Sequence, residues 1–205
     1  MGCGWTPAHP VDMHLLTAVE AVNGGSQNPA FSGIPFWEHQ LDLGYRLTAI
    51  GGSDNHRPMI PLDQPGSIGW PTTVVYATEL STPAILDGIR SGRVYIDLTG
   101  SRDRLVNIDA QAGAATAAMG GMLQTSRDEV VAIDVHTVEC QGDSVHFFAD
   151  GRELPDAQPQ AITAAEQSLH FQWRADGGRH WILAEVRDSE GRLLLLSNPV
   201  YVNWK

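Results

Sequence analysis

Apolar and polar positions change their rhythm near residue 100. In the first half, short apolar runs alternate with segments of helical period. "AVEAV" (residues 18–22) predicts a short buried strand that ends in "NGG". "IPFWEHQLDLGY" (34–45) predicts a helix, with Pro35 in its first turn and Gly44 near its stop. "LTAI" (47–50) and "TTVVYA" (72–77) predict two further strands. "STPAILDGIRSG" predicts a second helix, with Ser81 as N-cap, Pro83 in the first turn and Gly92 just past the end. Strands and helices alternating in this way predict a parallel sheet or barrel.

After Gly100 the helical period is lost. "RLVNIDAQA", "VVAIDVHTV", "SVHFFADG", "SLHFQWRA", "HWILAEVRD" and "RLLLLSNPVYV" alternate, or carry β-branched and aromatic residues, and "ADGREL" and "RDSEGRL" supply turns between them. This spacing predicts an antiparallel Ig-like β-sandwich of roughly six or seven strands. The expected fold class is therefore α/β plus all-β. A partial barrel fills residues 1–100 and a sandwich fills residues 101–205, a division that 205 residues accommodate as two small domains.

Charge narrows the function. A formal net charge of -11, with only thirteen Lys and Arg, excludes a nucleic-acid or anionic-membrane surface. Cys3 and Cys140 lie far apart, which supports neither a disulfide framework nor a thiolate metal site. No signal peptide or apolar run of membrane-spanning length is visible.

The chemistry concentrates in "GGSDNH" (51–56), directly after the strand "LTAI". Parallel βα folds gather function at the carboxyl ends of strands. On an extended segment Asp54 and His56 share one face, about 7 Å apart at their Cα atoms, so a carboxylate and an imidazole can reach one metal ion or two adjacent ones. An Asx turn beside a surface histidine is the plainer reading of the same residues. Arg57, with its planar donor fork, is a candidate for a substrate phosphate or carboxylate, and Asn23 at a strand end for hydrogen-bonding a ligand.

The order "AHP" (8–10), "VEAVNG" (19–24), a tryptophan-bearing helix and "LGYRLTAIGGSDNH" (43–56) resembles the second half of a PHP (polymerase and histidinol phosphatase) domain. "GWPTTVVYATELSTPAILDGIRSGRVYIDL" (69–98) and the closing "SNPVYV" are similar to the CehA/McbA branch of PHP metallohydrolases. The resemblance implies part of a distorted (β/α)7 barrel. It implies divalent zinc, manganese or iron ions, and a small-molecule phosphoester, ester or carbamate as substrate. It makes His9, Asp54 and His56 metal ligands, with Asp54 also catalytic, orienting or deprotonating a metal-bound water. The family's opening H-x-H motif, glutamate and further histidines do not occur before His9. The expectation is thus a C-terminal segment of a longer enzyme, inactive or nearly so by itself. The missing barrel strands would leave an exposed strand edge through which the chain self-associates. The alternative is a non-catalytic binding or assembly module using the sandwich. In "HFFADG" and "HFQWRA" the alternation turns one aromatic of each pair inward.

Overall fold

Turn and cap chemistry places the first elements close to where the sequence puts them. The structure, a computed structural model, describes residues 12–24, 32–154 and 156–204. Strand β1 (Ala18–Asn23) is followed by helix α1 (Ile34–Asp42), which starts with Pro35 in its first turn and stops before Gly44 at φ +101°. Strands β2 (Thr48–Gly52) and β3 (Thr72–Val75) precede helix α2 (Thr82–Arg90). The Ser81 hydroxyl accepts from Ala84 N at 3.3 Å, and Gly92 leaves α2 at φ +70°. Strand β4 (Val94–Asp97) follows.

The remaining elements are strands: β5 (Leu105–Ala112), β6 (Ala115–Ala118), β7 (Met122–Leu123), β8 (Val130–Val138), β9 (Ser144–Ala149), β10 (Arg152–Glu153), β11 (Gln160–Ala161), β12 (Glu166–Arg174), β13 (His180–Arg187), β14 (Leu193–Ser197) and β15 (Val200–Val202). They form a four-stranded sheet, β12-β8-β5-β6, and a nine-stranded sheet whose main path is β10-β9-β13-β14-β4-β3. The two sheets face each other as a β-sandwich. Val106, Ile108, Ile133, Val135 and Leu169 of the first sheet pack with Phe147, Ile182, Ala184 and Leu195 of the second.

The nine-stranded sheet is buried on its outer face as well. Trp181, Leu183, Leu196 and Ile96 point away from the sandwich core, because successive strand residues alternate between faces. They meet a layer made of α1, β1 and β2, whose Trp37, Leu41, Leu47 and Ala49 are at most 1% exposed. Trp37 and Trp181 lie 6.2 Å apart between ring centroids, and the Trp37 indole N–H donates to Leu47 O at 2.7 Å. β13 is thus buried on both faces.

This architecture corrects the expected barrel. β1 and β2 pair in parallel, but their sheet has two strands. β3 and β4 pair antiparallel and complete the sandwich sheet by joining β14. α2 is no crossover helix. It sits in the turn of the β3–β4 hairpin, where Tyr76 N donates to Arg93 O and Gly88 packs on Val75, so the chain returns beside β3. With fifteen strands and two nine-residue α-helices among the described residues, the fold is a capped β-sandwich, and the PHP-type barrel fragment, like the resemblance that implied it, is set aside. No described helix is long and apolar enough to cross a membrane.

The nine-stranded sheet also runs across the expected division at residues 100 and 101, since β3 and β4 belong to it. The crossing is a pinned corner. Buried Asp97 accepts from the backbone N–H and the hydroxyl of both Thr99 and Ser101, all at 2.7–2.8 Å.

The edge of β2 that faces away from β1 is occupied within the chain. Ala49 and Gly51 turn their backbone groups away from β1, toward side chains. Asn198 Oδ1 accepts from Ala49 N at 2.8 Å, and its Nδ2 donates to Ala49 O at 3.0 Å and Val94 O at 2.8 Å. Thr73 Oγ1 accepts from Gly51 N at 2.9 Å and donates to Gly51 O at 2.7 Å. An amide and a hydroxyl replace the missing neighbour strand.

Candidate functional site

The two glycines of "GGSDNH" are explained by packing. A Cβ on Gly51 would lie 2.8 Å from Ile96 Cγ2 and 3.2 Å from Pro71, and one on Gly52 would overlap the Glu20 carboxylate. Gly51 therefore lets β2 lie against the sandwich, and Gly52 leaves room for Glu20.

Beyond them the chain turns at Asp54, with φ +46°. His56 Nε2 meets Asp54 Oδ1 at 3.1 Å, and the two side chains are 83% and 55% exposed. The expected pair thus comes together, on an open surface and bonded to itself. Arg57 is exposed on the following loop, its backbone N–H bound to Asn55 Oδ1 at 2.8 Å. Asn23 ends β1, with its amide donating to Glu20 Oε2 at 3.2 Å. His9 lies outside the described residues. Among those residues, no three His, Cys, Asp or Glu side chains converge to hold a metal ion, whereas a catalytic metal takes about three protein ligands.

The histidines of the sandwich strands each find an acidic partner. His146 Nδ1 contacts Glu153 Oε1 at 2.7 Å, and His136 Nε2 lies 3.4 Å from Glu166 Oε1. His170 Nδ1 contacts Asp134 Oδ1. His180 bridges Asp150 at 2.6 Å and Asp176 at 2.8 Å, and these two carboxylates raise it from 6.5 to about 9 against the opposing effect of burial.

Two of these pairings, His136 with Glu166 and His170 with Asp134, lie on the four-stranded sheet. The outer face of that sheet carries Asn107, Asp109, Asp134, His136, Ser168 and His170 in cross-strand register. Asn107 Nδ2 donates to Asp109 Oδ2 at 2.7 Å, and His136 Nδ1 lies 3.3 Å from Ser168 Oγ. Burial raises the Asp109 carboxyl above its usual range, with the Asn107 hydrogen bond opposing. The register holds without a break over nine residue pairs between β12 and β8 and eight between β5 and β8, so the face is continuous. Aromatics do not line it: Phe147 and Phe171 stack inside, 5.4 Å apart, and Trp173 packs against the same core.

A second feature lies on the opposite side of the nine-stranded sheet. Between α1, β1 and the outer face of β9, β13 and β14 is a cavity of about 390 Å³. Val22, Ile34, Leu98, Phe148 and Leu193 give it apolar lining, Glu38, Glu185 and Arg187 its charged groups, and Asn23 and Ser32 further polar ones. Glu185 is 6% exposed and is matched by Arg187, whose Nε donates to Glu185 Oε2 at 2.7 Å and whose Nη1 donates to Gly191 O at 2.9 Å. Burial, then the charges of Glu185 and Asp42, raise Glu38 from 4.5 to about 7. The sequence reading passed over this cluster. Its one signal was a carboxylate inside the otherwise apolar run "WILAEV", since a charge there is buried and needs a partner.

No family model matches the sequence, and no curated protein matches it. Among solved structures, the solution NMR structure of the CARDB domain of a Pyrococcus furiosus protein is similar over 50% of this chain and 98% of that domain, at 13% identity and a TM-score of 0.31.

Proposed function

We propose that the chain is a non-catalytic binding or assembly module that works through the outer face of its four-stranded sheet. The observation that carries this reading is the unequal treatment of the two sheets. The outer face of the nine-stranded sheet is covered by α1, β1 and β2, while the described residues place no such layer over the other sheet.

The uncovered face is suited to recognition. Its donors and acceptors sit mostly on short side chains or imidazoles, already ordered by bonds along β5 from Asn107 to Asp109 and across β8 and β12 from His136 to Ser168 and from His170 to Asp134. Such groups lose little rotamer freedom when a ligand engages them, in contrast to lysine or glutamate. The antiparallel ladder beneath them fixes their spacing.

Two measurements on the purified chain test the proposal. Amide chemical shifts are followed while oligosaccharides and peptides are added, and hydrolysis of p-nitrophenyl phosphate is followed with manganese or zinc supplied. Shifts confined to β5, β8 and β12, and abolished by Asp134→Ala with His170→Ala, are the expected result. Metal-dependent turnover that disappears in Asp54→Asn would overturn the reading.

A further inference from the structure

We infer that the cavity between α1 and the nine-stranded sheet is a binding site for a small organic cation, an alkyl or aryl amine whose ammonium group sits against Glu38 and whose hydrocarbon body lies on Val22, Ile34, Leu98 and Phe148. The inference is independent of the four-stranded face, which lies on the other side of the molecule.

Three observations lead to it. The first is size: about 390 Å³ falls at the small end of the roughly 300–1,000 Å³ of ligand pockets. The second is wall chemistry. Apolar side chains from β1, α1, β9 and β14 share the lining with a few charged and polar groups, so the cavity suits a ligand with a hydrocarbon body and a single polar group.

The third observation is charge. Arg187 is committed to Glu185 and to Gly191 O, so its guanidinium is directed at groups of the protein. Glu38 carries the remaining charge at the lining, with Asp42 and Glu185 adding to the negative potential around it. An anionic ligand meets repulsion there. A neutral apolar ligand leaves the Glu38 carboxylate desolvated and without compensation. An ammonium group gives that carboxylate a charge-assisted hydrogen bond at a half-buried position. The raised proton affinity of Glu38 agrees with this, since a bound cation replaces the proton that the site otherwise favours.

Isothermal titration of the full chain with n-hexylamine and 2-phenylethylamine, against 1-hexanol and hexanoate, tests the inference. At pH 8 the amines should bind in the submillimolar range, the alcohol about tenfold or more weakly, and the carboxylate not detectably. Glu38→Gln should weaken the amines about tenfold and leave the alcohol unchanged. Ile34→Trp, which fills the cavity, should weaken both. Equal affinity for hexylamine and hexanol, retained amine binding in Glu38→Gln, or no amine binding up to about 10 mM would each overturn it. The comparison of ligands on the unsubstituted chain needs no variant to fold.

Discussion

Replacing Asn198 with alanine should loosen the cap from the sandwich. The Asn198 side chain makes three hydrogen bonds, to Ala49 N, Ala49 O and Val94 O, at 2.8, 3.0 and 2.8 Å. Asn198 is 1% exposed and Ala49 is fully buried. Val94 O keeps a second donor, the Asn198 backbone N–H at 3.1 Å, so its loss is partial. Ala49 loses both of its partners on that edge, and each orphaned buried group costs about 1–3 kcal/mol. The sum is about 2–6 kcal/mol, and partial entry of water favours a value near 3–4. Set against the 5–15 kcal/mol typical of a domain, that loss is large. Urea unfolding followed by tryptophan fluorescence reads the cap directly, because Trp37 of α1 packs on Trp181 of β13. Circular dichroism reads the strands. The fluorescence transition should move to lower urea than in the parent, ahead of the strand signal, and the Ala49 amide should exchange faster. Asn198→Asp should be as damaging at neutral pH, since it sets a carboxylate against two carbonyl oxygens. A change under about 0.5 kcal/mol, with Ala49 exchange unaltered, would refute the reasoning, because it would mean that β2 is held by packing alone.

Other perturbations probe different contacts. Glu38→Gln should stabilise the protein at pH 8 and have little effect near pH 4. Burial raises Glu38 from an ordinary 4.5 to about 7 in the folded chain, so its penalty is absent below the ordinary value, builds as pH rises from there to about 7 and is full above it; after solvent screening the gain is about 1–2 kcal/mol, read from melting curves across that range. Gly120→Ala should cost about 3 kcal/mol or more, because φ is +79° and the new Cβ would overlap the Ser91 carbonyl oxygen and lie 2.7 Å from Gly92 C; Gly142→Ala, at φ +94° in open space, should cost about 1–2 kcal/mol in the same denaturation assay. A fragment beginning at Ser101 should be oligomeric or insoluble by light scattering, since losing β3 and β4 bares the β14 edge and the apolar face of Leu196 and Trp181. A soluble monomer with protected β14 amides would show that residues 101–205 close their own core.

Local order was legible in the sequence wherever local chemistry sets it. Pro35 with Gly44, and Ser81 with Pro83 and Gly92, bracket the two helices, because caps and stops act within a turn of the backbone. Alternation in β5, β8 and β12 marked strands with one buried face; one aromatic of the "HFFADG" pair, Phe147, faces the sandwich core, whereas Phe171 and Trp173 of "HFQWRA", two residues apart on one strand, both pack on it. The unbroken apolar runs were ambiguous. A strand buried on both faces belongs equally to a parallel barrel or to the middle of three layers, and periodicity carries no information on strand direction. Only the tertiary structure decided that β3 and β4 run antiparallel, that α2 fills a hairpin turn, and that α1 and β2 cover a sandwich sheet. The chemistry divided in the same way. Asp54 and His56 were found because they are two residues apart, and the tertiary structure left them exposed, bonded to each other. Glu38 and Glu185, or Ala49 and Asn198, stand nearly 150 residues apart in the chain, and burial of one layer against the next is what brings their charges and hydrogen bonds together.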